Sequence, residues 1–282
     1  MTRVAYVNGC FVPFNKASVH IEERGFQFAD AVYEVISFYD QKLIDLEAHL
    51  DRLAYSAREI RLPLAQKTHT IQHHIQELLS RNRYPHGMVY VQISRGVTPR
   101  LFPFPKSSKP SLVITVRPND AVAFLDKHAK GVAIITQEDQ RWARPDIKTV
   151  NLLPAILAKQ NALDKGVYDT VFIKNNVLTE ASSANFWCVF DGAMHTHPKS
   201  SHILNGVTRS RFQILAKTLN IPVVEKAFTL DKAYRAEEAF LTSSNVWGLP
   251  VVRINDKAIG TGTPGPITLT LQKAYLDFIE SL

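Results

Sequence analysis

Lys148 has the clearest opening for covalent chemistry in this sequence. It lies in Arg141-Trp142-Ala143-Arg144-Pro145-Asp146-Ile147-Lys148-Thr149-Val150-Asn151-Leu152-Leu153, between a proline-containing loop and an apolar stretch with helical character. A lysine carried into such surroundings is partly dehydrated. Dehydration favours the neutral amine, which can attack a carbonyl. Lysines more often keep the ammonium in water and pack only their stems, so position alone leaves both roles open. The histidines offer less. His73-His74, and His195 with His197 on one strand face, have no nearby cysteine or acidic pair to complete a metal site, and no metal is expected. There is no glycine-rich dinucleotide fingerprint, no phosphate loop ending in Gly-Lys-Ser/Thr and no nucleophile elbow.

The elements that must position Lys148 are legible in outline. Asn8-Gly9, between strand-like residues 4–7 and 10–13, predicts a hairpin. Residues 41–62 carry Leu46, Leu50, Leu53, Ala57 and Ile60 at helical spacing, and residues 70–81 repeat the pattern. Residues 88–94 and 111–116 are rich in β-branched residues and read as strands. The turn cluster Arg117-Pro118-Asn119-Asp120 marks a link. The chain therefore divides into an N-terminal small domain (1–118), a linker region (119–130) and a larger C-terminal domain (131–282) carrying Lys148. That domain opens with a strand at 131–136 and a helix at 152–165 closed by Gly166. A hairpin follows around Asn175-Asn176, then a strand at 184–190 ended by Asp191-Gly192. Thr208 is placed to cap a helix reaching Leu219. A short strand at 239–242 and a helix at 267–282 complete the pattern. The fold class is α+β, mixed α/β with two domains, and not a regular alternation of parallel strands and helices.

The chain has 282 residues, 45% hydrophobic and 21% charged. That composition supports a substantial core and excludes disorder. The net charge of +7 comes from scattered residues. A mildly basic surface suits anionic ligands, and nucleic acid is not an expected partner. No stretch approaches the ~18 apolar residues of a membrane helix. Residues 1–14 lack the pattern of a signal peptide, and Cys10 and Cys188 are isolated. A cytoplasmic protein with no membrane partner is expected.

The lysine segment, Asp146 to Leu153 and on through Ala158-Lys159-Gln160, resembles that of the D-amino-acid aminotransferases. These belong to the branched-chain aminotransferase-like class of pyridoxal-phosphate enzymes, of fold type IV. Five further segments match in the family's order: Arg24-Gly25-Phe26-Gln27-Phe28-Ala29-Asp30-Ala31-Val32-Tyr33-Glu34-Val35, His49-Leu50-Asp51-Arg52-Leu53, Thr179-Glu180-Ala181-Ser182-Ser183-Ala184-Asn185, Leu204-Asn205-Gly206-Val207-Thr208-Arg209 and Leu241-Thr242-Ser243-Ser244. The similarity runs from about Tyr6 to the end of the chain.

The resemblance implies pyridoxal 5′-phosphate held by a Schiff base on Lys148, whose freed amine later moves a proton. It implies Glu180 facing the pyridine nitrogen, with Ser182 and Ser183 nearby and Leu204 against the ring. It implies a phosphate site from Gly206, Val207, Thr208, Ser243 and Ser244, with Arg52 as counter-ion. Backbone N–H groups at a helix start suit an anion, and a forked guanidinium suits a phosphate. The implied substrates are a D-amino acid such as D-alanine and a 2-oxo acid such as 2-oxoglutarate, and the implied assembly is a homodimer.

The departures concern the substrate carboxylate. Tyr33 and Arg100 match two members of the family's carboxylate trap, but Phe102 stands where a histidine is usual. Ala29 and Ala31 stand where glycine is common, and alanine is strained wherever φ must be positive. Ala184 replaces a frequent serine. A branched-chain L-amino-acid transaminase, an (R)-amine transaminase and a 4-amino-4-deoxychorismate lyase share the fold and stay open as alternatives. The Arg95–Arg100 and Lys148 segments favour the D-specific transaminase.

Overall fold

The computed structural model describes residues 3–119 and 121–282. It divides into two compact units: Met1–Asn119 with Ile147–Asn151, and Asp120–Asp146 with Leu152–Leu282.

The first unit contains β1 (Val4–Val7), β2 (Cys10–Pro13), α1 (Arg24–Phe28), β3 (Ala31–Tyr39), β4 (Lys42–Leu43), α2 (Leu46–Glu59), α3 (Thr68–Asn82), β5 (His86–Ser94) and β6 (Ser111–Pro118). The strands form an antiparallel sheet of order β2-β1-β6-β5-β3-β4. The first hairpin turns at Asn8 and Gly9, both at positive φ (49° and 101°), as the short loop requires. Val89, Val91 and Ile93 alternate along β5 and pack in one core with Leu50, Leu53 and Ala57 of α2 and Ile71, Ile75 and Leu78 of α3. The helix expected over 41–62 begins only at Leu46. Asp40 and Gln41 turn with positive φ (47° and 60°), and Lys42–Leu43 pair back onto β3 instead.

Along β3 the buried face reads Val32, Glu34, Ile36, Phe38. A strand alternates its side chains between two faces, so Glu34 occupies a place the pattern reserves for an apolar residue. Tyr33 points to the opposite face.

The lysine segment departs from the expected division. Residues 147–151 pack with the first unit, whereas the sequence pattern assigns Lys148 to the C-terminal domain. The segment lies along β3. Tyr33 N–H donates to the Lys148 carbonyl (3.0 Å), Val150 N–H donates to the Ala31 carbonyl (3.2 Å), and Val32 bridges Thr149.

The second unit contains α4 (Ala121–Lys130), β7 (Val132–Glu138), α5 (Leu153–Asp164), β8 (Asp169–Lys174), β9 (Val177–Ala181), β10 (Asn185–Phe190), β11 (Ala193–Thr196), α6 (Val207–Thr218), β12 (Val223–Glu225), α7 (Leu230–Ala233), β13 (Glu238–Ser243), β14 (Val246–Ile254), β15 (Lys257–Ala258) and α8 (Pro266–Glu280). Helix α4 fills most of the stretch expected to be a linker. Asp120, also within that stretch, lies outside the described residues. The main path of the sheet is β12-β11-β10-β13-β14-β7-β8-β9. Strand β9 also pairs with β10 through Glu180 and Asn185, so six strands close into a ring. Strand β7 runs parallel to both β14 and β8. The expected hairpin turns at Asn175 and Asn176, both at positive φ. Helix α6 is capped by Gly206, with Thr208 already inside its first turn and buried. The expected capping role of Thr208 is therefore corrected. Among the described residues, no helix is long and apolar enough to cross a membrane.

Ala29 is the C-cap of α1 and adopts the left-handed conformation (φ 54°, ψ 26°). Ala31 is an extended, fully buried strand residue. Of the two alanines at glycine-like positions, only Ala29 bears backbone strain. Left-handed backbone costs an alanine roughly 1–2 kcal/mol. Ala29→Gly should raise unfolding stability by about 1 kcal/mol, net of glycine's entropy. Urea unfolding of the two proteins checks this, and an unchanged or lower midpoint refutes the strain.

Candidate active site

Each unit carries one cluster of the expected residues. In the first, Lys148 is fixed through its backbone. Its N–H donates to Ser56 Oγ (3.2 Å) on α2, and its carbonyl is held by Tyr33. The Lys148 amine lies 4.3 Å from the centre of the Tyr33 ring. Tyr33 stacks on Tyr90 (5.5 Å between centroids), and Tyr90 donates to Gln92 Oε1 at 2.7 Å. Burial, with Tyr33 beside it, pushes the Tyr90 hydroxyl up to about 12.

Behind this face lies a buried ionic group. Arg52 donates from Nε to Glu34 Oε1 (2.7 Å) and from Nη2 to Glu34 Oε2 (2.8 Å). His49 Nδ1 stands 2.7 Å from the same carboxylate. Glu34 is fully buried, and the Arg52 side chain is 12% exposed. Burial works to raise the Glu34 carboxyl. The charge and hydrogen bonds of Arg52, with help from His49, more than reverse that and hold it well below the usual carboxylate range. Burial lowers His49, despite Glu34, with Arg52 and Lys148 acting the same way. A neutral His49 therefore donates Nδ1–H to Glu34. Arg52 is thus packed inside the unit, and two of its donors are committed to Glu34.

In the second unit Glu180, on β9, is surrounded by donors. Its carboxylate accepts from Arg141 Nη1 (2.6 Å), Asn185 Nδ2 (2.9 Å) and the Leu204 N–H (3.0 and 3.1 Å to the two oxygens). Burial pushes the carboxyl upward, against the pull of Arg141 and the Leu204 amide, and the net displacement is upward. Arg141 is held firmly protonated. Burial opposes its charge, but Glu180 and Asp139 outweigh burial.

Asn185 also links Glu180 to the start of α6. Its Nδ2 donates to the Leu204 carbonyl (2.8 Å), and a Cβ at Gly206 would meet Asn185 Oδ1 at 2.1 Å. Only glycine lets the start of α6 approach so closely. Asn185 pairs across the sheet with Thr242, which brings the Ser243-Ser244 turn to the same edge. Val207 and Thr208 form the first turn of α6. Ser182 is otherwise engaged, with its hydroxyl donating to Asp169 (2.5 Å), and Ser183 is exposed.

The residues expected to receive a substrate carboxylate are less assembled. Tyr33 stands beside Lys148, whereas Arg100 is exposed and lies over Phe28 (5.0 Å) and Phe102 (6.0 Å). Phe102 packs on Phe28 at 5.6 Å and is 80% exposed. The loop bearing both is tied down by Arg24, whose Nη1 donates to the Leu101 carbonyl at 2.6 Å.

Sequence reasoning missed Asp139, Arg141, Asn185, Glu34, His49 and Tyr90 as parts of these clusters. The signal was faint. Charged residues inside apolar strand patterns, at Glu34 and Glu180, imply buried partners, but the pattern does not name them.

A family model described as amino-transferase class IV matches residues 31–254. A D-alanine aminotransferase of Staphylococcus haemolyticus is 36% identical over 282 residues, covering 100% of this chain and 99% of the relative. One from Bacillus licheniformis is 34% identical over 274 residues, covering 97% and 96%. The branched-chain amino acid aminotransferase of Escherichia coli superposes with a TM-score of 0.94 at 24% identity, covering 99% of this chain and 95% of that one. A branched-chain amino acid aminotransferase from T.th., solved with pyridoxamine 5′-phosphate, gives the same TM-score and identity, covering 100% and 95%. At that identity the superpositions establish the fold.

The Glu34 group makes stability depend on acid. Its folded pKa is depressed, so its contribution is complete above the ordinary value of 4.5 and is lost as pH falls towards the folded pKa. Below pH ~4 the native protein should lose stability more steeply than Glu34→Gln, by about 1.4 kcal/mol per pH unit. Urea unfolding of both proteins at two acid pH values measures the difference, and parallel slopes refute the assignment.

Proposed function

Because this chain belongs to the amino-transferase class IV family, we propose that it transfers amino groups from D-amino acids, D-alanine among them, to a 2-oxo acid such as 2-oxoglutarate. The chain is an aminotransferase, and the proposal concerns its substrates, its cofactor and its working residues. The observation that carries it is the pair of built clusters, with Lys148 locked to β3 beside Tyr33 in one unit and Glu180 buried among donors in the other. The full-length likeness to D-alanine aminotransferases supports the choice of substrate.

The donor set fits pyridoxal 5′-phosphate. Glu180 offers a buried carboxylate to a ring nitrogen, the start of α6 offers N–H groups to a phosphate, and Lys148 offers an amine. When bound, the cofactor supplies an aldehyde for the amino group and an electron-poor ring that takes up the electrons left when the substrate's Cα–H bond breaks. Lys148 anchors the cofactor. Its freed amine would move a proton between the substrate's Cα and the aldehyde-derived carbon on the far side of the imine nitrogen, and would have to be neutral when it accepts that proton. Glu180 holds the proton on the ring nitrogen. Leu204 gives its N–H to Glu180, and its side chain would pack against the ring. Gly206, Val207, Thr208, Ser243 and Ser244 would hold the phosphate, and Arg52, oriented by Glu34, would serve as its cation. Ser182 serves indirectly, by fixing the turn after β9 to Asp169. Ser183 completes that turn. Tyr33 and Arg100 receive the substrate carboxylate.

The proposal extends to a cytoplasmic homodimer. Phe26, Leu101 and Phe102, at 76%, 64% and 80% exposure, are the apolar surface that supports pairing. Phe102 also bears on specificity. A phenyl ring cannot donate to a carboxylate, and a hydrogen bond to a charged group contributes about 1.5–3 kcal/mol. A looser carboxylate grip with a more apolar approach favours larger D-amino acids, or (R)-amines as a second reading.

Two measurements test this. D-Alanine should bleach the visible absorbance of the bound cofactor with stoichiometric pyruvate, while L-leucine should not. A response to L-leucine alone points to the branched-chain group, and silence with both overturns the reading. Phe102→His should lower the KM for D-alanine by about tenfold and leave bulky D-amino acids no better served. Kinetics that the substitution leaves unchanged for both D-alanine and bulkier D-amino acids would count against a role for Phe102.

A further inference from the structure

We infer that Asp139 is a positioning residue that acts through Arg141 to set how strongly Glu180 holds a proton on the cofactor's ring nitrogen. The inference rests on the role proposed for Glu180 and adds two residues to it.

The geometry is specific. Asp139 follows β7 directly and is anchored by its N–H to the Ile173 carbonyl (2.8 Å). Arg141, two residues on, folds back onto it. Asp139 Oδ1 accepts from the Arg141 backbone N–H and from Nε (both 3.0 Å), and Oδ2 accepts from Nη2 (2.8 Å). That leaves Nη1 directed at Glu180, at 2.6 Å. The guanidinium lies over the Phe172 ring at 4.5 Å, and Nη2 also reaches the His202 carbonyl at 3.4 Å. The side chains of Asp139, Arg141 and Glu180 are 3%, 11% and 5% exposed. One guanidinium is therefore shared between two buried carboxylates.

The sharing leaves a charge unmatched. Asp139 and Glu180 carry two negative charges, and Arg141 carries one positive. The other groups facing Glu180, Asn185 Nδ2 and the Leu204 amide, are neutral donors. The cation Lys159 on α5 is committed elsewhere, to Asp169 on β8 (3.2 Å) and to the Tyr168 carbonyl. The His202 ring faces His197, 6.1 Å away. A buried site with one surplus negative charge favours a ligand that brings one positive charge, and a protonated pyridine nitrogen meets that need. The Glu180 carboxyl is pushed upward mainly by burial, and the charge of Asp139 acts in the same direction.

Neutralising Asp139 should turn the whole guanidinium towards Glu180. Glu180 then becomes a weaker partner for a proton on the ring. Removing the guanidinium should do the reverse, and a merely structural role does not produce effects of opposite sign.

The test uses holoenzyme carrying pyridoxal 5′-phosphate labelled with 15N in the ring, whose chemical shift reports the proton directly. In Asp139→Asn the pH at which this nitrogen loses its proton should fall by about one unit. That is a tenfold change in the proton equilibrium. The cofactor's dissociation constant should rise, and kcat should drop about tenfold with KM for D-alanine nearly unchanged. Asp139→Glu should recover much of the loss. Should Asp139→Asn fail to fold, Arg141→Met carries the test with the sign reversed, its nitrogen staying protonated to higher pH. Glu180→Gln separates the two layers. A nitrogen that responds to Glu180→Gln but to neither Asp139→Asn nor Arg141→Met overturns this inference alone. A nitrogen that ignores Glu180→Gln overturns the role of Glu180 itself.

Discussion

Taking a carboxylate out of water is costly unless nearby donors replace the lost hydration. In the second unit that demand falls on Glu180, and much of the local architecture follows from meeting it. Strand β9 must carry Glu180 to the seam with β10, where Asn185 stands opposite and donates. The chain before α6 must bring the Leu204 N–H within reach, and Gly206 must lack a side chain for that approach to be possible. The loop after β7 must return Arg141 to the same point. Ring closure, helix start and loop geometry converge on one buried anion.

The first unit answers the same demand differently. Glu34 is buried among Val32, Ile36 and Phe38 on the core face of β3, and α2 supplies both partners from residues three apart, His49 and Arg52. That spacing places them side by side on one helix face. The group is close to charge balance, with one carboxylate, one guanidinium and a neutral imidazole. The Glu180 group is not. The contrast separates an internally satisfied brace from a site that still favours a cation, and it assigns Glu34 and Glu180 different duties.

What could be read from the sequence divides along the range of the interactions. The hairpins at Asn8-Gly9 and Asn175-Asn176 were legible because positive φ is a local demand with few suitable residues. Helices α2 and α3 were legible from their period, although the start of α2 was not, because β4 forms by pairing with β3. The resemblance picked out Lys148, Glu180 and Arg52. The partners that hold Arg52 and Glu180 lie far away in sequence: Glu34 is 18 residues from Arg52, and Arg141 is 39 residues from Glu180. Charged residues of this kind look like surface residues until the fold buries them. Thr208 lost its expected capping role because close packing against Asn185 sets the start of α6, and that constraint outweighs threonine's usual preference. Helix α4 was hidden by the turn residues just before it.

The five-residue excursion of Ile147–Asn151 into the first unit has a genetic consequence. The chain passes from one unit to the other three times, at 119/120, 146/147 and 151/152. Neither unit is encoded by one uninterrupted stretch. A single crossover that exchanged the first 119 codons with a distant relative would import a sheet built for one lysine segment and leave it to accept another. Compatibility would then rest on Ser56 and β3 of one parent fitting five residues of the other. A cassette that keeps the first unit whole must carry Ile147–Asn151 along with the sheet it completes.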